Sequence, residues 1–277
     1  MRLEGVAAAL ARMPDQPPWR LHAVAETDST NRRLLEALEG GGPLDRPWTV
    51  LTAEAQTAGR GRHERHWDCP AGEGLLVSLR LDLDLERHHL SLVGHWAALA
   101  LARVLARSCQ GAEGDARVWW KWPNDLLLED GAGAGKVAGL LVQTRIVGSC
   151  AHVVVGLGLN VGQRTFPAGL RQPARSLAQG GVDGEREALL AAWLGELGGR
   201  ELPARHAPPP APAEADLLAS RPVWIRDGER THRLAAHEHL ADGRLRLAWP
   251  GGGALLADGG LRLEELRKEG MWCRLEA

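Results

Sequence analysis

Lys136 opens the segment KVAGLLVQ, which is apolar apart from that lysine and Gln143. A lysine at a strand start is commonly an edge charge whose stem lies along apolar surface. Composition adds a second reading: only three of the 33 basic residues are lysines, and two of them are Lys121 and Lys136. Arginine cannot replace a compact ammonium where the shape of the cation matters. The segment GRGRHERHW puts Arg60, Arg62 and Arg65 on a glycine-flexible backbone, where guanidinium forks and N–H groups can wrap a phosphate. Taken alone it also reads as a solvated arginine-rich loop, with Trp67 as apolar floor or ordinary core. WWKWPNDLLL places Lys121, Asn124 and Asp125 at a strand exit, because Pro123 and Asn124 force a turn there. The same residues fit a plain hairpin turn beside packed tryptophans. VVVGLGLNV carries Gly156 and Gly158 inside a strand, where a missing side chain lets a ligand approach the backbone. Asn160 then offers an amide to a base or sugar.

These residues need elements to hold them. WRLHAVAE alternates as a strand does, and TDSTNRRLLEALEGGG supplies cap residues, a helix face (Leu34, Leu35, Leu38) and a glycine stop. Ahead of them lies a proline-broken N-terminus with Pro14, Pro17 and Pro18. Residues 50–53 make another strand, and QTAGRGRHERHWDCPAGEG has no apolar period, so it predicts a long loop. Gly59 to His66 is expected to be mobile when empty, having like charges and glycines but no apolar anchor before Trp67. GLLVSLRLDL is strand-like, and residues 91–107 carry Leu92, Trp96, Leu99 and Val104 at helical spacing, as a helix covering a sheet would. Strands follow at 117–120, 136–146 and 151–161, then a helix at 185–197. LPARHAPPPAPAEAD is too rich in proline for regular structure. The division expected is a domain at 1–205, a linker at 206–219 and a small all-β unit at 220–277, read from VWIRDGE, GRLRLAW and GGGALLADGGLRL.

Net charge is −2 over 277 residues, which excludes a broad electrostatic grip on nucleic acid or an anionic membrane. The longest unbroken apolar run, residues 96–102, falls short of a membrane span, so none is expected. Four cysteines stand far apart with no CxxC pair or signal-like N-terminus, which fits a reducing cytoplasm. His63/His66 and His237/His239 lack companion ligands and are expected to be surface histidines, with no metal site built on them.

In order along the chain, TDSTN, AEAQTAGRGRHERHW, KWPNDLLL, KVAGLLVQ and VGLGLNV span Thr27 to Val161. Together they resemble the biotin protein ligases. The resemblance implies an α+β fold, with a mixed β-sheet catalytic domain covered by helices and a small C-terminal SH3-like β-barrel. It implies an enzyme that converts biotin and ATP, with Mg²⁺, into biotinyl-AMP and pyrophosphate, and passes biotin to one lysine of a biotin carboxyl carrier domain. By resemblance, Ser29, Thr30, Asn31 and Gln56 hydrogen-bond the ureido ring, where buried donors reject analogues lacking it. Arg60, Gly61 and Arg62 close over biotin and the adenylate phosphate, and Trp67 supports them. Lys136 contacts the biotin carboxyl and the α-phosphate. Lys121, Asn124, Asp125 and Asn160 lie on the nucleotide side, with Asp125 able to orient or deprotonate the acceptor amine. Arg62, Lys136 and Asp125 are the catalytic candidates, and the metal ligands are not assigned. Glu64 stands where the family loop commonly has glycine, which predicts altered loop closure. Only 26 residues precede Thr27, so no DNA-binding role is expected. A homodimer remains open. The alternatives are a lipoate or octanoate ligase or transferase of the same fold, and a non-catalytic biotin or nucleotide sensor.

Overall fold

The computed structural model describes residues 1–62, 65–86, 88–110, 115–170, 172–203, 224–227, 230–233, 236–240, 244–249 and 253–257. Its first strand, β1 (Arg20–Thr27), runs into α2 (Thr30–Gly40), where Ser29 in extended backbone caps the helix by accepting from Arg32 N. Before β1, and ahead of the stretch broken by Pro14, Pro17 and Pro18, lies α1 (Leu3–Leu10), a helix not among those expected from the sequence; Val6 and Leu10 are buried against the core. Further along come β2 (Thr49–Gln56), β3 (Gly74–Asp84), α3 (Leu90–Gln110), β4 (Arg117–Lys121), β5 (Asp125–Asp130), β6 (Gly133–Val147), β7 (Cys150–Asn160) and α4 (Arg186–Gly198).

The seven strands form one mixed sheet in the order β1-β2-β3-β7-β6-β5-β4, parallel only between β1 and β2. Side chains alternate across it. On β3, Leu75, Val77, Leu79, Leu81 and Leu83 join the main core with α3 and α4, while Ser78 turns to the opposite face and meets α2. There Leu34 of α2 packs with Leu51 of β2 and Val154 of β7. Helix α2 covers only part of its face. The uncovered part, over the glycine-bearing stretches of β6 and β7, is where the cleft lies. Helix α3 is long and apolar enough by length and composition to cross a membrane, although its unbroken apolar run is only residues 96–102; 67% of its apolar window is buried in the fold, as a core helix requires.

The segment after Lys121 is a hairpin. β4 pairs with β5 from Arg117↔Glu129 to Lys121↔Asp125, across a turn with a cis Trp122–Pro123 bond, while Trp120 and Trp122 are buried. β6 begins at Gly133, earlier than expected, so Lys136 lies inside a strand and not at its start. The β5–β6 register shifts between Leu126↔Ala138 and Leu127↔Lys136. Val137 is thus an extra, bulged residue, and a bulge re-aims the side chains around it. Without it Lys136 and Gly139 would face opposite ways; with it they meet on the cleft face.

Toward the C-terminus, β8 (Trp224–Asp227) and β9 (Arg230–Arg233) form one antiparallel pair, and β10 (Ala236–His239), β11 (Leu245–Trp249) and β12 (Gly253–Ala257) an antiparallel sheet. Residues 206–219 and 258–277, and with them the expected linker and any barrel closure, lie outside the described residues. Leu245 is buried in the main core, and the His239 ring stacks on Trp120 with centroids 5.3 Å apart. His239 is therefore packed against another ring, contrary to the surface position expected for it.

Candidate active site

The cleft is floored by β6 and β7 and walled by the N-terminus of α2 and by the loop 59–67, around about 470 Å³ of space that opens to solvent. Ser29, Thr30, Asn31, Gln56, Arg60, Gly61, Arg62, Trp67, Asn124 and Lys136 line it. The five motifs that are separate in sequence converge there.

A helix N-terminus leaves backbone donors without intrahelical partners. In α2 the Thr30 N–H donates to Gln56 Oε1 at 2.7 Å, and Thr30 Oγ1 lies 3.0 Å from the same oxygen. Asn31 Nδ2 donates to Gln143 Oε1 at 2.9 Å and to the Leu141 carbonyl at 3.2 Å, while its Oδ1 faces Ser78 Oγ at 2.6 Å. Gln143 and Ser78 were not among the expected site residues. Each directly follows three apolar residues in its strand, 75–77 before Ser78 and 140–142 before Gln143, and that is the signal that finds them.

The glycines do something other than admit a ligand to bare backbone. A Cβ on Gly156 would collide with the Asn31 amide, and one on Gly158 with the Trp67 indole. Gly139 makes room for the Lys136 ammonium, which would stand 2.8 Å from an added Cβ. The glycine floor therefore seats the cleft's own polar and aromatic walls.

Loop 59–67 folds back on itself. Trp67 N donates to Gly59 O at 3.0 Å, Gly61 N donates to Arg65 O at 2.7 Å, and Arg60 bridges His66 as in an antiparallel ladder. Arg62 Nη1 donates to Asn124 Oδ1 at 3.0 Å, and Asn124 Nδ2 donates to the Leu140 carbonyl at 2.9 Å. Asn124 thus ties the loop to the floor. Glu64, whose effect on closure was in question, lies outside the described residues.

Lys136 Nζ lies 2.7 Å from Asp125 Oδ1 and 5.3 Å from the centroid of the Trp67 ring. A cation over the face of an indole is attracted by the ring quadrupole. Its backbone is fixed because β6–β7 pairing ends at Ala138↔Leu159 and residues 173–175 take over: Lys136 N donates to Pro173 O at 2.7 Å, and Arg175 N donates to Lys136 O at 3.0 Å. Asn160 secures this clamp, its amide donating to the carbonyls of Lys136 and Arg175. Asn160, 3% exposed, and Lys121, 5% exposed and donating to Gln172 Oε1 at 3.2 Å, are not brought into the cleft lining, and Asp125 reaches it only through its pairing with Lys136.

A model of the biotin/lipoate A/B protein ligase family matches residues 24–160. Over 203 residues the chain is 36% identical to the biotin–[acetyl-CoA-carboxylase] ligase of Mycobacterium tuberculosis, covering 71% of this chain and 70% of that protein. The chain belongs to the biotin/lipoate A/B protein ligase family. It is also 42% identical over 141 residues to the ligase of that name from Paracoccus denitrificans, and 34% over 172 residues to the bifunctional ligase/repressor BirA of Escherichia coli. The matches span 53% and 50% of those two proteins and 50% and 61% of this chain. In fold it is similar to the biotin protein ligase of Aquifex aeolicus in complex with biotin and ATP, with a TM-score of 0.62 and 24% identity, covering 87% of this chain and 97% of that one.

Two of the thiols, Cys69 and Cys109, are placed to be inert. Burial, helped at Cys69 by Asp68 and Glu73, pushes the Cys69 and Cys109 thiols up to about 11, so neither is a thiolate at neutral pH. Neither lines the cleft, where chemistry falls to cations and amides, with the Asp125 carboxylate paired to Lys136 just behind the lining.

Proposed function

We propose that the protein joins the biotin carboxylate to the α-phosphate of ATP, releasing pyrophosphate, and then passes biotin from biotinyl-5′-AMP to a lysine of a biotin carboxyl carrier domain. One observation carries this reading. A neutral hydrogen-bonding wall (Ser29, Thr30, Asn31, Gln56) and a cationic one (Arg60, Arg62, Lys136) share a cleft whose lining, among the described residues, contains no carboxylate. That suits a ligand with an uncharged ureido head and an anionic tail, held beside a second anion.

In the first step a carboxylate oxygen bonds to the α-phosphorus while the bond to pyrophosphate breaks. Negative charge grows on the phosphoryl oxygens and the leaving group, and Lys136 and Arg62 stabilise it by position and charge. Lys136 first gives up its pairing with Asp125, so substrate binding uncovers that carboxylate. In the second step the acceptor amine attacks the acyl carbon, AMP leaves, and Asp125 accepts the proton. No enzyme nucleophile is needed. Mg²⁺ is bound in such sites largely through substrate phosphates. With no carboxylate in the described lining to hold an ion by itself, these residues fit one that arrives on ATP, where it would neutralise phosphate charge. Asn160 serves by holding the Lys136 backbone, and Lys121 by supporting the β4–β5 turn.

The catalytic unit is assigned to 1–205, a connecting segment to 206–219, and an SH3-like barrel to 220–277, supported by the two antiparallel groups β8–β9 and β10–β12. A cytoplasmic setting suits the described cysteines, Cys69, Cys109 and Cys150, none of which is in a disulfide. The test is a panel of biotin, lipoate and octanoate with ATP, followed by transfer to a carrier domain. Biotin alone should be activated and transferred; preferential use of lipoate or octanoate would move the assignment to the other branch of the family.

A further inference from the structure

Strands β3 and β7 carry a second chemical constellation on the α2 face, where His152 lies four residues along β7 from Gly156 of the glycine floor and so about 13 Å from it. Asp82 stands opposite His152 and Asp84 opposite Cys150, forming two cross-strand rungs on one face. The Asp82 carboxylate, the Cys150 thiol and a His152 ring nitrogen lie within 4.8 Å of one another, and all three residues are partly exposed. The cysteines looked unrelated to any ligand set in sequence because pairing of β3 with β7 supplies the partners.

We propose that Asp82, Cys150 and His152 bind a divalent transition cation of the zinc class, with Asp84 or water as fourth ligand. A tetrahedral ion with bonds of about 2.0–2.3 Å needs ligand atoms about 3.4–3.7 Å apart, which rotamer shifts of about 1 Å would achieve here. The thiolate, imidazole and carboxylate together suit zinc better than magnesium or calcium, which take oxygen ligands. His152 Nδ1 already lies 2.8 Å from Asp82 Oδ1, so that contact is exchanged for two bonds to the ion. Arg80 does not neutralise the site. Its Nη1 donates to Asp45 at 2.6 Å and its Nη2 to Asp82 at 3.2 Å, with His152 Nδ1 3.5 Å from the same Nη2, so one guanidinium is shared between two carboxylates. On binding, Cys150 releases its proton to solvent.

The test uses the untagged full-length chain, stripped with a chelator under reductant and titrated with Co²⁺ and then Zn²⁺. One equivalent of Co²⁺ should give a thiolate-to-cobalt charge-transfer band and strong tetrahedral visible bands, both displaced by Zn²⁺. Cys150→Ser should abolish the charge-transfer band. His152→Ala should weaken binding by at least the roughly 10–100-fold that loss of even an outer-shell partner costs. Biotin-dependent activity should be unchanged in both. Zn²⁺ should also raise the thermal midpoint of the wild type but not of Asp82→Asn, which reads the site without altering Cys150. A charge-transfer band that survives Cys150→Ser, or equal Zn²⁺ affinity in the wild type and His152→Ala, overturns the proposal.

Discussion

The ammonium of Lys136 lies 2.7 Å from the carboxylate of Asp125, so the cation assigned to the phosphate and the base assigned to the amine hold each other before substrates arrive. The two half-reactions should therefore separate by mutation. Asp125→Asn should leave biotinyl-AMP formation within about fivefold of wild type and slow transfer to the carrier lysine about 100-fold. Lys136→Arg should do the reverse, lowering adenylation about 100-fold, because a planar fork cannot occupy the space Gly139 leaves for an ammonium. Single-turnover assays of each step, with thermal midpoints to verify folding, measure both. Equal losses in both steps for either variant would contradict the division of roles.

Gly158 is required by Trp67, not by the turn of the chain. An added methyl group would overlap the indole, and overpacking of this kind costs about 1–3 kcal/mol. Gly158→Ala should raise the biotin Kd about tenfold, since Trp67 lines the cleft. Calorimetric titration checks it.

Asn124 ties the arginine loop to the cleft floor through Arg62 and the Leu140 carbonyl. Loss of a hydrogen bond to a charged group is worth about 1.5–3 kcal/mol. Cleavage by an Arg-specific protease within loop 59–67 should be about tenfold faster in Asn124→Ala without ligands. Biotin with ATP should slow cleavage of the wild type, as expected of a loop that closes over them.

His95 on α3 is 6% exposed, with its ring 5.3 Å from that of Trp120. Burial, with a smaller contribution from His239, pushes its pKa down to about 4. An unfolded histidine titrates near 6.5, so between about pH 6.5 and 4 the unfolded chain binds a proton that the fold does not. Stability is full above about pH 6.5 and falls as pH drops through that window, by about 3 kcal/mol at most. Urea midpoints across this range should show the slope, and His95→Phe should flatten it.

The elements around the cleft were legible where one local signal sufficed. Ser29 marks the start of α2, its leucines mark the packed side, and the long aperiodic loop is where QTAGRGRHERHW lies. β5 escaped because Leu126, Leu127 and Leu128 are all fully buried, so the strand shows no alternation. α1 escaped because three prolines follow an alanine-rich turn carrying few large side chains. The bulge at Val137 and the clamp from residues 173–175 depend on pairing between distant segments, which no local pattern encodes. Lys121 and Asn160 are polar residues beside the motifs that the fold commits to internal partners, a distinction residue type alone does not make.

The central claim is that this cleft joins biotin to AMP. Isotope exchange between ATP and pyrophosphate reads that step alone, without an acceptor protein. Exchange that requires biotin and is lost in Lys136→Arg is the predicted result; no biotin-dependent exchange in the folded wild-type protein would contradict it.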